Sequence, residues 1–309
     1  MKYIFGPVPS RRLGQSLGVD PIPSKTCNYQ CIYCQLGKTT VFTNTRQDFY
    51  PPADILNELK LVIQAKHDDI DYITFVGSGE PTLYKSLGIV IKNIKEFTDL
   101  PICVITNGGL LHNDIVFKDL LLADVVLPTL DAGNEKKFIG VNRPHPTIKF
   151  DAMIDSYIKF RKEFTGKFWL EVMLMKDIND SEKELTSIKE KLDLIKPDRI
   201  DINVPIRPPV EDWVEVPDKT IFQKLNRIFG KYTDINFPEI GKFQKYSGEF
   251  EQELLNIIKR HPMRQDQVFK TFINDTLTKD QIIEKLEILE RQEEISKMVY
   301  KEKIFWKKA

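Results

Sequence analysis

Cys27-Asn28-Tyr29-Gln30-Cys31-Ile32-Tyr33-Cys34 is the stretch from which the fold can be read. Its cysteines stand in the spacing C-x3-C-x2-C, with an aromatic residue just ahead of the last one. The chain has four cysteines, and three of them lie here. Thiolates crowded in this way repel one another, and a shared cation relieves the repulsion. Soft thiolates select zinc or an iron–sulfur cluster. A structural zinc site takes four protein ligands in a closed tetrahedron. The fourth cysteine, Cys103, stands far downstream in an apolar run. The local set therefore stops at three, which suits a cubane with one iron left open. A zinc knuckle completed by a remote histidine is the alternative.

Outside this stretch the composition sets bounds. A chain of 309 residues accommodates one large domain and a small one. Hydrophobic residues make up 41% and charged residues 29%, enough for a full core under a wettable surface. Basic and acidic residues number 45 each, so any attraction to nucleic acid must come from a local patch. Met1-Lys2-Tyr3-Ile4-Phe5-Gly6 runs straight into Gly/Pro-rich sequence and is not expected to be a leader. No apolar run approaches the length that crosses a bilayer, so no membrane partner is expected. Clustered cysteines argue against a disulfide framework and for a reducing, cytoplasmic setting.

Along the chain, strands and helices alternate. Phe5 to Gly14 reads as a loop or short hairpin, punctuated by proline and glycine. Six β-rich runs follow: Ser16 to Asp20, Tyr72 to Val76, Ile102 to Thr106, Asp124 to Leu127, Phe168 to Leu174 and Arg199 to Asn203. Helical patterns separate them. One opens at Pro51-Pro52-Ala53 and is expected to bury Ile55, Leu56, Leu59, Leu61 and Val62. Others cover Leu87 to Phe97, His112 to Leu122, Phe150 to Phe164, and Ser181 to Leu194 with Ser181 as N-cap. This alternation predicts a parallel sheet covered by helices. Chemistry in such folds sits at the carboxyl ends of the strands. There the sequence places the cysteine loop, Gly77-Ser78-Gly79-Glu80, Asn107-Gly108, Thr129 to Asp131, and Arg207.

The pattern changes near Gly248. Helices are expected from Glu253 to Ile258, Asp266 to Phe272 and Thr278 to Gln292, then a hairpin turning at Lys301-Glu302-Lys303. The third helix should bury Ile282, Ile283, Leu286 and Leu289. Asn236 to Ser247 is the expected linker, giving domains 1–240 and 248–309. Three helices and a hairpin resemble a winged-helix module. Between Thr278 and Glu294, six acids oppose three bases, a net charge of −3 that repels phosphate and argues against a DNA reader.

The cysteine spacing resembles the radical S-adenosylmethionine (SAM) superfamily. That resemblance implies a partial (β/α)6 radical SAM barrel, an α/β fold, carrying the small C-terminal winged-helix domain. It implies that Cys27, Cys31 and Cys34 bind three irons of a 4Fe–4S cluster while SAM occupies the fourth. One electron then cleaves SAM to methionine and a 5′-deoxyadenosyl radical, which abstracts hydrogen from substrate. Tyr33 looks like the family's aromatic packing on adenine. Gly77-Ser78-Gly79-Glu80 is similar to the family's GGE-type motif for the SAM amino group, with Ser78 in place of a glycine. Asn107 is a candidate to hydrogen-bond the SAM ribose or carboxylate, and Thr129 and Asp131 stand where the family often places a hydroxyl or carboxylate to hold the SAM ribose. Asn107 also suits a left-handed cap, and Asp131 a helix N-cap.

Arg143, fixed among prolines, and Arg207, beside Pro208-Pro209, are candidate substrate-binding arginines, with Arg11 and Arg12 bordering the same opening. Phe5 to Gly37 and Val204 to Pro209 resemble a bacterial and archaeal branch related to the tRNA wyosine synthases. No cysteine precedes Cys27, so the second cluster expected of those synthases is not carried over. The implied partners are an electron donor such as flavodoxin or ferredoxin and a large substrate, RNA or protein, docked by the tail. The alternative function is an iron–sulfur redox or metal-sensing regulator with a DNA- or protein-binding tail.

Overall fold

The computed structural model describes residues 1–234, 243, 249–273 and 277–309. Strand β1 (Ile4–Ser10) turns back into β2 (Gly14–Val19) as an antiparallel hairpin, with Ile4 opposite Val19. The cysteine loop then adds a minimal parallel pair, β3 (Thr26–Cys27) with β4 (Val41–Phe42). The remaining strands of the main sheet are β5 (Tyr72–Phe75), β6 (Ile102–Thr106), β7 (Val125–Pro128), β8 (Lys167–Met173), β9 (Arg199–Asn203) and β10 (Thr233–Asp234). Their order is β1-β2-β5-β6-β7-β8-β9-β10, and every pair from β2 onward is parallel. The sheet curls into an open half-barrel. All six expected strands are present, and the proline-punctuated segment before them is the edge hairpin.

Helices α1 (Pro52–Lys66), α2 (Leu87–Ile94), α3 (Asp114–Leu120), α4 (Glu135–Asn142), α5 (Phe150–Glu163), α6 (Glu182–Ile195) and α7 (Ile221–Ile228) connect the strands. In α1 the buried residues are Ile55, Leu59, Val62 and Ile63, whereas Leu61 is 65% exposed. The spacing explains the correction: Leu61 lies two positions from Leu59, on the opposite side of a helical turn.

Period-two alternation sorts each strand between two environments. Ile102, Val104, Val126, Phe168, Leu170 and Val172 point outward into the core shared with the helices. Cys103, Val125, Leu127 and Trp169 point inward and form the floor of the half-barrel with Leu13. The inward series continues upward through Ile105, Thr129, Glu171, Met173 and Asn203 to the carboxyl edge. Cys103 stands three residues below Thr106, roughly 10 Å beneath that edge.

The C-terminal stretch contributes α8 (Phe250–Ile258), β11 (Met263–Arg264), α9 (Gln265–Phe272), α10 (Lys279–Arg291), β12 (Ile295–Tyr300) and β13 (Lys303–Lys308). Its strands form an antiparallel sheet ordered β11-β13-β12. Thr278 caps α10 through its side chain, and Ile282, Leu286 and Leu289 are buried, with Ile283 half-buried. The tail does not close its core alone. Phe5 and Val8 of β1 pack into it beside Phe250, Leu254, Phe272 and Trp306. The expected linker, Asn236 to Ser247, lies outside the described residues apart from Phe243. No helix among the described residues is long and apolar enough to cross a membrane.

Candidate functional site

A cavity of about 270 Å³ opens at the carboxyl ends of the parallel strands. Cys27, Cys31 and Cys34 form part of one wall. Two of the three sulfurs meet N–H donors. Tyr29 N (3.4 Å) and Asn107 Nδ2 (3.7 Å) donate to Cys27 Sγ, and Asn142 Nδ2 (3.7 Å) donates to Cys31 Sγ. Gly37 N donates to the Cys34 carbonyl (3.2 Å), and burial raises the Cys34 thiol while the Leu36 and Gly37 amides oppose the rise. Burial pushes the Cys27 thiol up to about 12, with the Glu80 charge adding to the rise, while the N–H donors favour the thiolate. Cys103 lies on the barrel floor and cannot serve as a fourth ligand.

Among the described residues, no group of three or more His, Cys, Asp or Glu side chains is gathered tightly enough for one metal ion. A closed zinc tetrahedron therefore has no donor set here. Cys27, Cys31 and Cys34 line the cavity together, and two of the three sulfurs carry N–H donors, a thiol set of the kind that binds iron–sulfur clusters.

The glycine-rich stretch lies against the cysteine loop. Glu80 N donates to Thr26 O (3.1 Å), and a Cβ on Gly79 would come within 1.8 Å of that oxygen. Only glycine permits this approach. Gly79 and Glu80 line the cavity, whereas Gly77 and Ser78 turn behind the wall. Ser78 N (3.1 Å) and Ser78 Oγ (2.6 Å) both donate to the Asp20 carboxylate.

Glu80 is a hub with 2% exposure. Its Oε1 accepts from Thr82 N (3.0 Å), Thr82 Oγ1 (2.6 Å) and Thr106 Oγ1 (2.5 Å), and its Oε2 accepts from Asn107 N (2.7 Å). Burial raises its pKa, and these donors oppose the rise. Asn107 is thereby fixed on the wall, with Nδ2 on Asn28 Oδ1 (2.6 Å) and Oδ1 accepting from Gly109 N (2.9 Å). The positive φ expected in this turn falls on Gly108, not Asn107.

Tyr33 and Thr129 also line the cavity, but Asp131 does not. Its carboxylate lies beneath Tyr33, accepting from Tyr33 Oη (2.5 Å), Asn142 Nδ2 (2.7 Å) and Met173 N (2.8 Å). Burial pushes its pKa up to about 6 against these donors. The cap of α4 is Asn134, whose side chain accepts from Lys137 N. Asp131 therefore anchors the aromatic wall instead of capping a helix. Tyr33→Phe removes the shortest of its three bonds and is expected to cost about 1–2 kcal/mol in the cluster-free protein. Urea unfolding measures it, and an unchanged midpoint would mean that the hydroxyl holds nothing.

Arg11, Arg12 and Arg207 line the cavity. Arg12 pairs with Glu171. Arg207 donates Nη1–H to Gln35 Oε1 (3.0 Å), and its Nη2 lies 2.6 Å from His261 Nε2. Arg143 is elsewhere. It occupies the left-handed C-cap of α4, pairs with Glu211, and lines a separate depression with Lys38 on the far side of Cys31. Sequence reading did not single out Glu171, Asn203, Asn142 or Asp20. Glu171 had a signal, as the one acid inside the apolar run of β8.

An α/β half-barrel with a three-cysteine loop over its carboxyl edge brings three thiols to the mouth of a partial barrel. The sequence model of the radical SAM superfamily matches residues 22–187, and the chain belongs to that superfamily, whose members are enzymes. Sequence relatives include the UPF0026 protein MJ1312 of Methanocaldococcus jannaschii, 35% identical over 100% of this chain and 96% of that protein. GTPase Obg of Brachyspira hyodysenteriae is 40% identical over 92% of this chain, which spans only 42% of that protein's length. Among solved structures, Streptococcus suis SuiB bound to its precursor peptide SuiA aligns with a TM-score of 0.54 at 16% identity, covering 72% of this chain and 49% of SuiB. A radical SAM methyltransferase from Sphaerobacter thermophilus aligns with a TM-score of 0.52 at 14% identity, covering 71% and 64%. At these identities the likeness is one of fold.

Proposed function

We propose that Cys27, Cys31 and Cys34 hold three irons of a 4Fe–4S cluster beside a SAM site, and that the chain is a radical SAM enzyme acting on a large substrate, RNA or protein. The observation that carries this reading is the placement of these three thiols, without a fourth protein ligand in reach among the described residues, on the lining of the cavity at the strand ends. When bound, the cluster and SAM supply a 5′-deoxyadenosyl radical that takes hydrogen from substrate.

The chain's own residues position and seclude that chemistry. Gly79 lets the backbone approach closely, and Glu80 locks Thr106 and Asn107 beside it. Tyr33 presents its ring to the cavity while Asp131 fixes its hydroxyl. Thr129 and Asn203 offer polar groups to SAM. Val76, Ile105 and Met173 exclude water, and Arg11, Arg12 and Arg207 mark the substrate side. SuiB, which shares the fold, is known bound to S-adenosylmethionine, with a TM-score of 0.51 at 17% identity, covering 70% of this chain and 46% of SuiB. Its complex with a precursor peptide supports a macromolecular substrate here.

Residues 248–309 serve as a docking unit of winged-helix type. Its hairpin reaches the cavity rim, where Tyr300 Oη donates to Pro205 O (2.8 Å). The net charge of −3 between Thr278 and Glu294 repels phosphate and disfavours a DNA-reading helix, so the docked partner is protein, or RNA held on the lysine-rich hairpin of Lys297, Lys301, Lys303, Lys307 and Lys308. The electron donor is of the flavodoxin or ferredoxin kind, in a reducing cytoplasm. Anaerobic reconstitution should give a brown protein that forms methionine and 5′-deoxyadenosine from SAM under reductant. Stable iron loading without SAM cleavage would sink the enzyme reading, and zinc without iron would sink the cluster.

A further inference from the structure

Ser78 stands where the resembling motif has a glycine, and its side chain does not face the cavity. It faces Asp20, which faces Arg260 just past the end of α8. From this geometry we infer that the C-terminal unit positions the glycine-rich wall of the cavity through an Arg260–Asp20–Ser78 relay, with Arg260 a positioning residue for the motif read above as the SAM amino-group site.

The relay is buried throughout, with Asp20 2% and Arg260 5% exposed. Arg260 Nε donates to Asp20 Oδ2 (2.6 Å), the same oxygen that accepts from Ser78 Oγ, while Oδ1 accepts from Ser78 N. The other arms of the guanidinium are held as well. Nη1 donates to Asn256 Oδ1 (2.6 Å) and Nη2 to Lys2 O (2.5 Å). Gly77 makes room for the carboxylate, since a Cβ there would lie 2.4 Å from Asp20 Cγ. On its other side the motif is tied to the cysteine loop, with Lys25 N donating to Ser78 O (2.6 Å). The wall is therefore gripped between the cysteine loop and the tail. A tail used only for docking would need no buried arginine aimed at this carboxylate. Without its cation, Asp20 is an uncompensated buried charge and must move toward water. Both Ser78 bonds move with it.

The test uses full-length protein and two variants, Arg260→Met and Ser78→Ala, with Arg260→Lys as a partial rescue. In cluster-free protein, hydrogen exchange at the amides of Ser78 and Glu80 should quicken about tenfold or more in Arg260→Met. Reconstituted Arg260→Met should keep wild-type iron content yet bind SAM about tenfold more weakly by equilibrium dialysis, with Arg260→Lys between the two. Ser78→Ala keeps the Asp20–Arg260 pair, so it tests the last link if Arg260→Met fails to fold, and should weaken SAM binding in the same direction. Unchanged exchange in Arg260→Met, or SAM affinity lost only in step with iron content, would overturn the relay. Faster exchange with unchanged SAM affinity would uphold the relay and remove the SAM assignment from this wall.

Discussion

Cys31→Ala is expected to emerge from anaerobic reconstitution colourless, with iron falling from about four per chain to well below that, and with SAM cleavage at background. The substitution removes one of three thiols that have no substitute. Among the described residues the only other cysteine is Cys103, fully buried on the barrel floor with its thiol pushed up to about 12 by burial. It cannot migrate into the loop without unpacking β6. Cys103→Ala is the matched control. It trims a side chain in a packed layer, at a cost of about 1 kcal/mol, and should leave iron content and cleavage unchanged. Full iron and cleavage in Cys31→Ala would remove the loop from the chemistry. Loss of the cluster in Cys103→Ala would make the fourth cysteine a ligand after all.

Glu80→Ala is expected to be the most damaging single change outside the cysteines. Four donors converge on this carboxylate, from Thr82, Thr106 and Asn107, in a residue only 2% exposed. Alanine leaves them all without an acceptor, at about 1–3 kcal/mol for each group that finds no other. The total is a large fraction of a typical folding stability of about 5–15 kcal/mol. Glu80→Gln keeps the shape and discriminates further. Its carbonyl oxygen can replace Oε1, but its amide N–H then faces Asn107 N–H. It should lose about 1.5–3 kcal/mol, the worth of a hydrogen bond to a charged group. Thermal and urea unfolding of the cluster-free proteins give both values. A Glu80→Gln protein as stable as wild type would mean that the charge is dispensable to the wall.

The half-barrel was legible because its signal is local. Val125-Val126-Leu127 and Phe168-Trp169-Leu170 are apolar, β-rich runs, and the cysteine loop follows directly on the first such run, Ser16 to Asp20. Helix α4 was not legible. Its apolar residues are only Phe138, Ile139 and Val141, and Ile139 is 55% exposed. The site was readable by position along the strands but not by direction. Asp131 and Thr129 are two residues apart, yet one is beneath the wall and the other on it. Arg143 and Arg207 both sit beside prolines, but a left-handed C-cap turns Arg143 away from the cavity. The partnership of Phe5 and Val8 with the tail left no local trace at all, because it is decided by residues more than 200 positions away.

Burial of Asp20 by Arg260 also has a consequence in time. The two residues are 240 positions apart. On a ribosome adding about 5–20 residues per second, roughly 12–48 s separate their synthesis. Throughout that interval the strand bearing Phe5 and Val8 has no tail to pack against, and the Asp20 carboxylate has no counterion. The glycine-rich wall therefore reaches its final shape only after the segment bearing Arg260 has been made. A nascent chain arrested before α8 should therefore display an open, apolar edge strand, the kind of surface that chaperones bind and that pairs with other chains.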